Sequence, residues 1–219
     1  MKEFFSLQNI FFEIGGQGIS YLEFFGVLLG LASVFLAGLA RSVNYWIGFV
    51  YVGLLFLMFL QKRLYTNMLL QPVSIGINAY GLYRWTRPGD RQKNERNQLL
   101  TTFLTNKQRF LYVLSLLVFV PLWGFFLYNL HEIWDVFPPA RAPFLDAAVA
   151  GLLLTAQILA AQKKWECWIF WMLLNIGNVV MYISAGLVFM PIVAICFLIF
   201  NVVGLIHWKK EWEKHKEIC

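Results

Sequence analysis

The sequence predicts an all-α membrane protein of seven transmembrane helices, arranged as two parallel three-helix repeats joined by a single connecting helix (3+1+3). Three observations predict it. The 219 residues are 59% hydrophobic and only 14% charged, with a mean hydropathy of +0.62, whereas a soluble domain needs far more polar surface. Seven mostly apolar stretches approach the roughly 20 residues that a spanning helix requires. Finally, Asn-x-x-Gly-Leu-x-x-Trp occurs twice, at Asn78, Gly81, Leu82 and Trp85 and at Asn201, Gly204, Leu205 and Trp208, each pair 123 residues apart. That fixed offset marks an internal duplication.

The elements follow in order. Residues 1–19 crowd Phe4, Phe5, Leu7, Ile10, Phe11 and Phe12 before Gly15 and Gly16. This segment is too short to span and is expected to be an interfacial amphipathic helix. It has no basic n-region and no small-residue cleavage site, so a removed signal peptide is not expected. Spans are predicted over 20–40, 43–60 and 64–86, forming the first repeat (20–86). A polar run and a fourth span at 109–130 occupy a connecting region, 87–142, made of a cytoplasmic linker, the connecting helix and an outer loop. Spans at 143–162, 165–186 and 188–209 form the second repeat (143–210), followed by a short tail (211–219). The runs are too long for barrel strands, and helices satisfy their own backbone in hydrocarbon. The 123-residue offset also carries Glu23 onto Asp146, Arg41 onto Lys164 and Tyr45 onto Trp168.

Charge sets the expected orientation. With seven spans, the loops after spans 1, 3 and 5 share a side with the C-terminus, and that side holds 14 of the 18 Lys and Arg. The positive-inside rule then places the N-terminus outside and the C-terminus in the cytoplasm. The net charge of +6 thus reflects topology, and no nucleic-acid partner is implied. Cys167, Cys196 and Cys219 lack metal-ligand spacing, so no metal, cofactor or disulfide is expected.

One span between the repeats makes the first and fifth helices run the same way. The repeats are therefore parallel, related by an axis along the membrane normal, as in the SWEET-type fold, where substrates bind near the midplane between repeats. Trp168, Trp171, Asn175, Asn178 and Tyr182 recur at intervals of three and four, which puts them on one stripe of span 6. Asn67, Gln71, Ser74, Asn78 and Trp85 form a similar stripe in span 3, and Gln157 adds an amide in span 5. Amides in a bilayer face the bundle interior or a wet cavity. Asn78 and Asn201 read first as helix-packing groups, because both copies keep them beside a glycine. Gln71 and Asn175 read as ligand-binding, because Ala194 and Val52 stand at their counterparts and an asymmetric ligand demands asymmetry. Trp171, one turn from Asn175, suits stacking against a planar or cationic ring, whereas Trp168 is nearer the helix end and also suits an interfacial anchor.

Mechanistic classes narrow accordingly. Glu23 and Asp146 lie at helix N-termini, where the dipole favours a carboxylate, and no midspan ionisable group offers a proton relay. Passive transport is expected. An enzyme is not: His131, His207 and His215 fall outside any nucleophile, base or metal constellation. A purely structural membrane protein is the third class, and it would use the amides only to bond helices.

Taken together, these residues resemble the PnuC vitamin transporters, which carry nicotinamide riboside across bacterial inner membranes. The resemblance covers almost the whole chain. It rests on Phe-Phe-Ser-Leu-Gln-Asn-Ile over 4–10, Asn44-Tyr45, Leu64-Tyr65 with Leu69-Leu70-Gln71, the segment from Asn78 to Trp85, and Trp168, Trp171 and Asn175. The last three are similar to the family's Trp-x-x-Trp-x-x-x-Asn signature. The resemblance implies facilitated diffusion of nicotinamide riboside, trapping by an intracellular kinase, and a homotrimer. Trp171 and Trp168 would frame the pyridinium ring, and Asn175, Gln71 and Asn178 would bond the carboxamide or ribose, with Asn78 and Asn201 in the wider candidate set. Thiamine, riboflavin or a deoxynucleoside is the alternative solute.

Overall fold

Ser20 decides where the first helix begins. Its hydroxyl accepts the Glu23 backbone N–H at 3.3 Å, and the Glu23 carboxylate accepts the Ser20 N–H at 3.0 Å, a capping box that satisfies two otherwise orphaned donors. A computed structural model describes residues 6–61, 65–89, 92–93, 99–133, 142–184, 186 and 188–216. Within them lie two strands, β1 (Ile10–Ile14) and β2 (Gln17–Ser20), and seven helices: α1 (Tyr21–Gly38), α2 (Val43–Gln61), α3 (Tyr65–Thr86), α4 (Asn106–Ile133), α5 (Pro143–Ala161), α6 (Cys167–Ser184) and α7 (Phe189–Lys216). The helix ends fall within a few residues of the apolar stretches, except that α7 runs on to Lys216. The expected tail is thus largely a continuation of α7, and Cys219 lies outside the described residues.

Five helices, α1, α2, α4, α5 and α7, are long and apolar enough to cross a membrane. Polar residues spaced along α3 dilute its apolar character, and the apolar part of α6 is shorter, Cys167–Val180.

The N-terminal segment corrects an expectation. Residues 10–20 form an antiparallel hairpin, with Ile14 paired to Gln17, rather than an interfacial helix. The reason is the turn: Gly15 and Gly16 adopt φ of 59° and 76°, and two consecutive left-handed residues are what a tight hairpin connection needs. The hairpin is fastened to the bundle by Phe12, whose ring meets Phe24 of α1 at 5.7 Å and Phe189 of α7 at 5.9 Å.

Helix neighbours recur at the same offset as the sequence. α1 packs on α2 and α7, α2 on α3, α5 on α3 and α6, and α6 on α7, so the α1–α7 contact has its counterpart in α5–α3. α4 stands outside this exchange and packs against α5. The ends of α1 and α5 also match. Ala40 and Lys163 both have φ 54°, and the Arg41 and Lys164 N–H groups reach back to the carbonyls of Leu36 (2.9 Å) and Leu159 (2.8 Å), closing each helix with the same Schellman-type turn.

The polar linker is docked rather than free over its described part. Thr102 donates its N–H to the Lys163 carbonyl at 3.1 Å and accepts the Trp165 N–H at 3.0 Å. The Leu104 N–H is taken by the Glu166 carboxylate at 3.0 Å, which also pairs with Arg109 at 3.0 Å. Leu99 and Leu104 are buried. Residues 99–105 therefore form a strap across the end of the bundle that carries most of the basic residues.

Candidate functional site

The glycines of the repeated motif shape the centre of the molecule. A Cβ on Gly81 would sit 2.4 Å from the Tyr45 ring, and one on Gly204 would sit 2.5 Å from the Trp168 ring. Only a residue without a side chain admits those rings. One turn further along each helix, Trp85 and Trp208 are wholly buried, with ring centroids 5.6 Å apart. Tyr45 meets Trp85 edge-on at 5.3 Å, and Trp168 meets Trp208 edge-on at 5.2 Å, the geometry that aromatic quadrupoles favour.

These rings bound a cavity of about 90 Å³, room for several waters. Its lining contains four pairs related by the 123-residue offset: Val34 with Gln157, Ala37 with Ala160, Tyr45 with Trp168, and Trp85 with Trp208. The other lining residues lack a lining counterpart. Ser33, Asn44 and Trp171 correspond to Ala156, Cys167 and Gly48, and Asn78 corresponds to Asn201, which does not reach the cavity. A near-symmetric aromatic frame is thus furnished asymmetrically with polar groups. Three of them, Asn44 Oδ1, Gln157 Oε1 and Trp168 Nε1, are buried and make no hydrogen bond among the described residues. Buried polar atoms are nearly always paired, so a cluster of exceptions around one cavity marks a place for a polar partner.

Among the residues singled out from sequence, Trp168, Trp171, Asn78 and Gln157 line this cavity, with the motif residues Trp85 and Trp208. Gln71, Asn175, Asn178 and Asn201 are not among its lining residues. Gln71 is buried and donates to the Asn67 carbonyl at 3.0 Å, and Asn175, also buried, donates to the Trp171 carbonyl at 2.9 Å. Asn178 is half-buried on α6, and Asn201 is buried with its Nδ2 unpartnered. Sequence reasoning missed Ser33, Asn44 and Tyr45 as cavity residues. The offset held the signal for Tyr45, since a residue that corresponds to Trp168 should share its place.

Among the described residues, no Asp, Glu, Lys or Arg lines the cavity. At the strap's anchorage, outside the lining, burial lowers the pKa of the Lys164 ammonium, opposed by Glu166 and reinforced by Arg84.

A bundle of apolar helices enclosing an aromatic and amide cavity defines a multi-pass membrane protein with an internal candidate site. The chain belongs to the nicotinamide mononucleotide transporter family, whose family model matches residues 20–210. It is 27% identical over 230 residues to the nicotinamide riboside transporter PnuC of Escherichia coli (strain K12), covering 94% of each chain, and equally so to that of Shigella flexneri. It is also similar to the crystal structure of the vitamin B3 transporter PnuC, with a TM-score of 0.67 and 21% identity, covering 89% of this chain and 83% of that one. That likeness shows the shared fold.

Proposed function

We propose that this protein carries nicotinamide riboside across the bacterial inner membrane by facilitated diffusion, with the solute trapped inside by phosphorylation. The observation that carries the reading is the cavity: an aromatic frame with unpaired amide oxygens and an indole N–H, set between two copies of one structural unit. Curated relatives named as nicotinamide riboside transporters align with nearly the whole chain. The chemistry selects the nucleoside over its mononucleotide. A phosphate would need Lys or Arg partners, and the lining supplies none, whereas a cationic pyridinium suits aromatic faces.

In this reading all seven helices cross the membrane as parallel 3+1+3 repeats of SWEET type, a reading supported by matched helix ends and neighbours at the 123-residue offset. The basic end faces the cytoplasm and the N-terminus lies outside. Trp168 and Trp171 flank the pyridinium, while Asn44, Gln157 and Asn78 bond the carboxamide and ribose hydroxyls. Asn175, bonded to the Trp171 carbonyl, holds that turn, and Gln71, Asn178 and Asn201 complete the amide surroundings. Alternating access lets the pocket open to each side in turn, and the functional unit is a homotrimer.

The cavity of about 90 Å³ is smaller than the roughly 300 Å³ lower bound of small-molecule sites, so binding requires the frame to widen. A binding screen of the purified protein against nicotinamide riboside, nicotinamide mononucleotide, thiamine, riboflavin and common nucleosides tests the proposal. Preference for nicotinamide riboside supports it, and preference for any other solute overturns it.

A further inference from the structure

Lys163 occupies a position that its backbone does not favour. Its φ is 54°, in the left-handed region where a residue with a Cβ is strained, and its side chain is wholly buried. The matching residue of the first copy, Ala40, holds the same φ with a methyl group. The turn itself therefore asks for no lysine, and what the second copy adds is an ammonium. That ammonium lies 3.0 Å from Glu211 of α7, 5.2 Å from the Trp85 ring centroid and 5.9 Å from that of Trp208. The hydroxyl of Thr101, on the strap, donates to the other oxygen of the same carboxylate.

The arrangement crosses a seam. Trp85 of α3 and Trp208 of α7 both line the cavity and touch each other, and each adjoins a basic residue in sequence, Arg84 and Lys209. Lys163 covers this pair from beyond, while the strap that follows the first copy is fastened to Glu211, on the continuation of α7 beyond the second. A buried ion pair repays its desolvation poorly as a source of stability, and its best attested use is to fix a register or a switch.

We propose that Lys163, Glu211 and Thr101 form a latch that holds the basic end of the cavity shut and must release before solute can leave by that end. The proposal rests on the transporter reading. It deepens that reading by assigning the closure to a single charged cluster on one side of an otherwise paired frame.

Cys167 supplies a native reporter, because it is buried in the same cluster as Leu99, Leu104, Trp85 and Trp208. Cys196, on α7 and partly buried, serves as the control. Maleimide modification of both thiols is followed by peptide mass spectrometry in the full-length protein, with no solute added, so the outcome is independent of which solute binds. Thr101→Val removes the strap's bond without orphaning a charge, and Lys163→Met removes the ion pair. The latch predicts Cys167 modification at least about fivefold faster in Thr101→Val and faster still in Lys163→Met, with the Cys196 rate unchanged. An unaltered Cys167 rate in Thr101→Val overturns the proposal, as does a parallel rise at Cys196, which would report general loosening. If Lys163→Met does not fold, Thr101→Val decides alone.

Discussion

The indole N–H of Trp85 donates to the carbonyl of Ala160 at 3.1 Å. Trp208, 123 residues after Trp85, donates at 3.0 Å to Ala37, which stands 123 residues before Ala160. Each copy of the duplicated unit thus places its motif tryptophan on the other copy's helix end. The motif is therefore both a packing signature and the exchange that joins the copies around the cavity. Replacing either tryptophan with Phe loses this bond and leaves a space where the fused ring was, at a combined cost of about 2 kcal/mol or more each. Because the rings touch, the double variant should depart from additivity by at least about 0.5 kcal/mol, measured as a double-mutant cycle of thermal stability in detergent.

Gly204→Ala should be more damaging than its small size suggests. The new methyl meets the Trp168 ring, and Gly38 of α1 approaches the same glycine closely, with its Cβ position 3.3 Å from the Gly204 Cα. We expect about 1–3 kcal/mol of destabilisation from overpacking, together with weaker solute binding because Trp168 is displaced. Gly81→Ala should lower stability similarly by pushing on Tyr45. Paired melting and calorimetric binding measurements separate the two effects.

Gln157→Val gives the second copy the residue that the first copy holds at Val34. The Gln157 Oε1 is buried without a partner, and such an atom costs about 1–3 kcal/mol. The variant should therefore be as stable as the parent or more so, while binding nicotinamide riboside at least about fivefold more weakly. A destabilised variant with unchanged affinity would remove Gln157 from the site.

Glu166→Ala tests the strap. The carboxylate accepts the buried Leu104 N–H and pairs with Arg109, whose half-exposed side chain makes the ion pair the weaker part. The orphaned N–H should cost about 1–3 kcal/mol, and proteolysis at residues 99–105 should quicken as the strap detaches.

Much of the fold was legible in the sequence because bilayer solvation imposes one strong rule, a long apolar run for each helix. Polar α3 was legible only through the period of its amides. The hairpin was not, because its aromatics suit an amphipathic helix equally well until the Gly15-Gly16 turn is given its due. The site was legible in part. The α6 stripe drew attention to Trp168 and Trp171, which line the cavity. Spacing also implied that Gln71 and Asn175 point inward, and both are buried, yet each amide donates to a carbonyl four residues back on its own helix, a local competition that periodicity does not reveal. Asn44, noted only as part of the family resemblance, was not read as a cavity residue because it stands at the start of a helix, where a polar residue ordinarily reads as a cap.

Under the proposed function, the asymmetrically furnished aromatic cavity carries nicotinamide riboside passively. Uptake of labelled nicotinamide riboside into proteoliposomes, with no ion gradient, tests it most directly. Uptake should stop at equal concentrations inside and out and be abolished in folded Trp171→Ala. Accumulation above equilibrium, or normal uptake by Trp171→Ala, would contradict it.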